Sequence, residues 1–177
     1  MRSVSEIELQ AADSMNATGL TRYEEGNYLA ALKCFEKATK IDPSHAESWN
    51  NRGLLLSQYL KLDKAEECFR RAIELNPKYI LARVNRSRVH LQRGDMDKAM
   101  IDLDDAIRVA GGDPDDVAVA RYHRAQLRGQ RGDWAGAVRD YDFVLNFAPR
   151  MAPAWLGRST ARLQTGDASG ALSDADE

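Results

Sequence analysis

No run of apolar residues in this chain approaches the roughly 18 needed to span a bilayer. Its amino terminus, Met1-Arg-Ser-Val-Ser-Glu-Ile-Glu, lacks the apolar core of a secretion signal and carries acids early, so a cytoplasmic location is expected. Neither sign of charge dominates: the net charge is −2 with 29% charged residues, whereas a phosphate-binding surface calls for a basic balance, so no nucleic-acid partner is expected. The only two cysteines, Cys34 and Cys68, form no CxxC pair and have no histidine at ligand spacing. Gly111-Gly112 lacks the following Lys-Ser or Lys-Thr of a phosphate loop. The three histidines are scattered, His45 in a connection, His90 on an inner helix face and His123 on a groove face, and no Ser or Cys has a partner His and acid at readable spacing. Asp102, Asp104 and Asp105 cluster on a helix, where solvation explains them better than chelation. The sequence therefore carries no catalytic residues, metal site or cofactor site, and is not read as an enzyme.

A repeat is present instead. Ala31, Ala65, Ala99, Ala137 and Ala171 recur mostly at 34-residue intervals. Twelve residues before each stands a small residue: Gly19, Gly53, Ser87, Ala125 and Ser159. Four residues after come Phe35, Phe69, Leu103 and Tyr141, with Ala175 the exception, and Pro43, Pro77 and Pro149 close units. Apolar or small residues recur every three to four positions, the period of a helix face. In the stretch 64–75, Ala65, Cys68, Phe69, Ala72, Ile73 and Leu75 are expected to point inward. A proline inside a helix costs about 3 kcal/mol, so the unit-closing prolines are stops. No stretch alternates as a strand does, and the chain is read as all-α.

Trp49-Asn50-Asn51-Arg52-Gly53 with Ala65, Phe69, Ala72 and Pro77 resembles the tetratricopeptide repeat, a 34-residue helix–turn–helix unit, and Gly26-Asn27, Gly94-Asp95, Gly132-Asp133 and Gly166-Asp167 resemble its turns. The resemblance covers roughly residues 12–177. It implies a right-handed superhelical solenoid of antiparallel helix pairs, whose units stabilise one another only as neighbours. Units are expected at about 12–45, 46–79, 80–113, 118–151 and a truncated 152–177, with 1–11 extending the first helix backwards. Ser3 or Ser5 would cap that extension, and Ile7 and Leu9 would cover the end of the array. Between the third and fourth units the period breaks. Gly111-Gly112 should end a helix, Asp113 cap the next and Pro114 open it about a turn early. The last unit stops inside its second helix, which would leave Ala171, Leu172 and Ala175 facing outward, as in a fragment of a longer array.

Cys34 and Cys68 hold equivalent places one repeat apart, about 8–10 Å between neighbouring helices and beyond disulfide reach, and read as packing residues. A second periodicity joins Arg52, Arg86, Arg124 and Arg158 to Asp102, Asp140 and Asp174. It suggests a structural ladder of ion pairs, within a unit (Arg86 with Asp102) or across units (Asp102 with Arg124). Arg52 meets cysteine at both candidate positions and lacks this partner.

The resemblance also implies a function: first helices line a concave groove that binds an extended peptide or a helix of another protein. Its lining carries over to Asn16, Tyr23, Asn50, Asn51, Asn85, Arg88, Tyr122, His123 and Gln126 as peptide-binding residues, with Gly129, Gln130, Leu156, Gly157 and Thr160 at further groove places. Asn51 and Asn85 hold one place in adjacent units, and an asparagine can pair with both polar groups of a peptide bond. The clamp that family members use for acidic chaperone tails would fall on Asn16, Leu20, Asn51, Leu81 and Asn85, where no cation stands, so that partner is not expected. The reading is a non-enzymatic interaction scaffold. Its alternatives are a regulatory segment of a larger enzyme or membrane-associated protein, and a module that self-associates through the last unit.

Overall fold

The computed structural model describes residues 4–111 and 114–176, and among them every regular element is an α-helix. These are α1 (Val4–Glu24), α2 (Tyr28–Ile41), α3 (Ala46–Gln58), α4 (Leu62–Leu75), α5 (Ile80–Gln92), α6 (Met96–Val109), α7 (Pro114–Gln130), α8 (Trp134–Phe147), α9 (Ala152–Gln164) and α10 (Ala168–Ala175). Within each compact unit sequential helices pack as antiparallel pairs, α1 with α2 and α3 with α4 in one, α7 with α8 and α9 with α10 in the other. None among the described residues is long and apolar enough to cross a membrane. Ser3, Gly112 and Asp113, and the side chain of Ser5, lie outside the described residues. The chain divides into two compact units, Met1–Val89 and His90–Glu177.

In the first unit the small-before-large rule becomes packing. A Cβ on Gly19 would sit 2.5 Å from Cε1 of Phe35, and one on Gly53 2.8 Å from Cε1 of Phe69. Each glycine therefore lets its helix approach a ring on the paired helix. Phe35 and Phe69 are buried, with Ala31, Ala38, Ala65 and Ala72. Ile73 and Leu75, expected inward, are only half-buried, because they flank the stripe of Ala65, Cys68, Phe69 and Ala72. Ile7 and Leu9 are exposed rather than packed. In the second unit Ala125 stands where Gly19 and Gly53 do, and the ring of Tyr141 lies against Gly157 of the next pair. Ala171, expected outward, is buried on α9, where Ser159 Oγ donates to its carbonyl at 2.7 Å. Leu172 and Ala175 are exposed.

Turns inside the pairs share one chemistry. Gly26, Gly94, Gly132 and Gly166 take φ of 74, 79, 80 and 85°. The next residue, Asn27, Asp95, Asp133 or Asp167, caps the second helix by accepting a backbone N–H at 3.2, 3.1, 2.9 or 2.9 Å. The second pair breaks both rules. Leu60 holds a φ of 55°, strained for a side chain, and Lys61 makes no side-chain cap. Gly111 also has positive φ, just beyond the end of α6, and α7 begins on Pro114.

The arginine–aspartate ladder exists and serves both directions. Arg124 grips Asp140 of its own pair through Nε at 2.8 Å and Nη2 at 2.7 Å, while Nη1 reaches Asp104 of the preceding helix at 2.7 Å. Arg158 repeats this with Asp174 at 2.9 and 2.7 Å and Asp142 at 2.6 Å. The acid across the units is thus two residues beyond the one expected. On α8, Asp140 and Asp142 stand about 200° apart, so one faces α7 and the other α9. Arg128 and Arg162 add further bonds to Asp140 and Asp174, which are 1% and 2% exposed, and Arg121 Nη1 also reaches Asp140 at 3.3 Å. Burial opposes the charge of Arg124, but its bonds to Asp140 and Asp104 outweigh it and raise its pKa. Arg52 keeps only the cross-unit rung, with Nη2 3.6 Å from Glu36.

Candidate partner-binding groove

In the first unit the asparagines bind each other. Asn85 Nδ2 donates to Asn50 Oδ1 at 3.0 Å, Asn50 Nδ2 to Asn51 Oδ1 at 3.3 Å, and Asn51 Nδ2 to Asn16 Oδ1 at 3.0 Å. This chain ties α5 to α3 and α3 to α1. Asn16 and Asn50 are buried. One amide N–H of Asn51 and one of Asn85 is therefore engaged inside the protein, where the sequence pattern reads both residues as a grip for a peptide. Tyr23 is half-buried, accepts from Gln58 Nε2 at 3.1 Å and stacks tilted on Tyr28, while Arg88 is exposed.

In the second unit the groove places converge. α8 forms the floor through Ala137 and Tyr141, and α7 and α9 form the walls of a cavity of about 580 Å³. Tyr122, Ala125, Gln126, Gly129, Gln130 and Trp134 line one side, with Pro153, Leu156, Gly157, Thr160 and Ala161 on the other. None of these lining residues carries a formal charge. Tyr122 Oη accepts from Gln126 Nε2 at 3.1 Å, which leaves the phenol proton to donate elsewhere. Burial, with a contribution from Tyr122, pushes the Tyr141 phenol up to about 12. His123, beside Tyr122 with ring centroids 5.4 Å apart, lies outside this cavity.

Sequence reading misses one constellation. His45 caps α3 rather than idling in a connection: its Nδ1 accepts from Ser48 N at 3.1 Å and lies 2.8 Å from Ser48 Oγ, and its Nε2 lies 2.8 Å from Asp13 Oδ1. Ser, His and Asp are thus in line, which the spacing does not reveal because Asp13 sits a repeat away. Ser48 is fully buried, so its hydroxyl serves the helix cap. Histidine is not among the residues that commonly cap a helix, so the sequence carried no signal for this cap. Among the described residues no group of three or more His, Cys, Asp or Glu gathers to hold a metal ion.

Helix pairs joined by positive-φ turns and recurring along the chain define an α-helical repeat protein. The tetratricopeptide repeat model matches residues 46–79, and a second model of the repeat matches residues 19–58. Residues 19–79 thus match the tetratricopeptide repeat, and beyond residue 79 the helices share the fold of the solved tetratricopeptide structures. Among solved structures, pilF of Pseudomonas aeruginosa aligns with TM-score 0.87 at 18% identity, over 96% of this chain and 75% of its own. PilW, a widely conserved type IV pilus biogenesis factor, aligns with TM-score 0.80 at 22% identity, over 94% and 76%. YrrB, a tetratricopeptide protein with an unusual peptide-binding site, aligns with TM-score 0.66 at 16% identity, over 99% and 90%. Comparison with curated protein sequences gives no match. Tetratricopeptide domains are generally protein–protein interaction modules and typically non-enzymatic scaffolds.

Proposed function

We propose that this protein is a scaffold that holds a segment of a partner protein in the groove between α7 and α9. The observation that supports it is the cavity of about 580 Å³. Its lining includes Tyr122, Gln126, Gly129, Gln130, Leu156, Gly157 and Thr160, groove places carried over from the family resemblance. A pocket in this size range with few polar groups suits an uncharged stretch of peptide, its apolar side chains over Ala125, Ala137 and Leu156 and its backbone within reach of Tyr122 and Gln126. Gly157 is part of the fit, because a side chain there would overlap Tyr141. Within the first unit the asparagine chain joins α1, α3 and α5.

Selection from a displayed random-peptide library with the full chain tests this. Selected peptides should lose roughly tenfold or more in affinity on Thr160→Trp, which fills the groove from an exposed position, and retain affinity on Arg88→Ala. Peptides that bind the filled groove as well as the original would end the proposal.

A further inference from the structure

We infer that the insertion before the fourth repeat builds a second pocket, which takes one aromatic side chain of the partner segment with a lysine or arginine beside it. The inference rests on the groove being the partner-binding face. α3, α5 and α9 begin at Ala46, Ile80 and Ala152, seven residues before Gly53, Ser87 and Ser159. α7 begins at Pro114, eleven before Ala125, so the four added residues become one extra helical turn. Asp115 lies in that turn, with Ala118 and Val119 just after it. They face the end of α8 across a cavity of about 350 Å³.

The two cavities lie end to end. Ala137 and Tyr141 of α8 floor the groove, Val144 and Ala148 floor the second pocket, and all four fall on one stripe of helical spacing. Tyr122 lines both. A segment lying along the groove therefore continues past Tyr122 into the second pocket. The rim is apolar and open to solvent: Phe147 is 49% exposed and Val119 38%. Phe147 is held there by stacking on Phe143, centroids 4.8 Å apart.

Charge selects the occupant. The groove lining carries no formal charge, whereas the wall of the second pocket holds the carboxylate of Asp115 and the imidazole of His123, with Asp116 next in sequence. An aromatic ring desolvates against Val144, Ala148 and Phe147 while a neighbouring cation meets Asp115.

Tryptamine and indole-3-propionate test this directly, since they share a ring and differ in the sign of the side-chain charge. Methyl NMR of the full chain, read at Val119, Val144 and Ala148, should show saturable shifts with tryptamine at about threefold or more higher affinity than with indole-3-propionate. Asp115→Asn should bring the two probes to equal affinity. Ala148→Leu, which fills the pocket, and Phe147→Ala, which strips the exposed rim, should each weaken both probes while the remaining spectrum is kept. Absence of saturable shifts at these methyls, equal binding of the two probes, or a preference that survives Asp115→Asn would each overturn the inference. If tryptamine fails while library peptides still depend on Thr160, the second pocket falls and the groove stands; if tryptamine binds while the peptides ignore Thr160, the groove reading falls instead.

Discussion

Replacing Cys68 with aspartate should leave the protein about as stable as it is, although it sets a carboxylate where the thiol is 3% exposed. The fifth repeat supplies the template. Arg158 lies over Trp155 at 4.6 Å and binds Asp174 and Asp142. One set of equivalent positions holds Arg52, Trp49, Cys68 and Glu36, with Arg52 5.5 Å from the Trp49 ring centre. Arg52 Nε is buried and has no hydrogen-bond partner, whereas Arg158 Nε gives its bond to Asp174 at 2.9 Å. An unsatisfied buried donor costs about 1–3 kcal/mol, and burying a carboxylate costs several kcal/mol. A bidentate pair relieves the first and offsets most of the second. Leu56 occupies the place of Arg162, so the new carboxylate gains two bonds where Asp174 has three. Cys68→Asp alone should therefore fall within about 1 kcal/mol of the parent. In an Arg52→Met background the same change should cost about 3–5 kcal/mol, giving a coupling of roughly 3 kcal/mol. Urea unfolding followed by helical circular dichroism and by Trp fluorescence measures both. Equal losses in the two backgrounds, with no coupling, would refute the reasoning.

The turn at Leu60 and Lys61 invites repair: Leu60→Gly with Lys61→Asp restores the glycine and the cap of the sister turns, and should raise stability by about 1–3 kcal/mol in the same urea assay. Gly53→Ala gains about 1 kcal/mol of helix propensity but drives a methyl into Phe69, and should be destabilising overall by about 1–2 kcal/mol in thermal or urea melts. Burial pushes the Cys68 thiol up from 9.0 to about 11, so its proton is held more tightly folded than unfolded. Its contribution is complete below pH 9 and is lost as pH rises through about 11, by at most about 2–3 kcal/mol. Cys68→Val should remove that part of the alkaline decline, and iodoacetamide should label the half-buried Cys34 first, with Cys68 following only on unfolding.

The repeat was legible because its constraints are local and recur. Gly53 under Phe69, the alanines of the second helices and the Gly-Asp turns each show in sequence at fixed spacing, and each has a steric cause in the structure. The ladder was legible by type but not by partner. Whether Arg124 meets Asp102 or Asp104 across the units depends on which side of α6 faces α7. The asparagines were read for what their amides can bind and not for what surrounds them, and Asn85, Asn50, Asn51 and Asn16 form a chain in which each donates to the next. The pocket beside Asp115 needed the length of α7. Sequence showed only that four residues were added, while the structure shows that they continue a helix. Ser48, His45 and Asp13 come together from neighbouring repeats, a proximity that no linear motif records.

Methyl chemical-shift mapping of the full chain with its tightest library-selected peptide tests the central claim most directly. The account predicts the largest saturable shifts at Ala125, Ala137, Leu156 and Ala161, which line the groove of the second unit, with Leu55 and Val89 in the core of the first unit unmoved. Shifts confined to the first unit, or to Leu172 on α10, would contradict it.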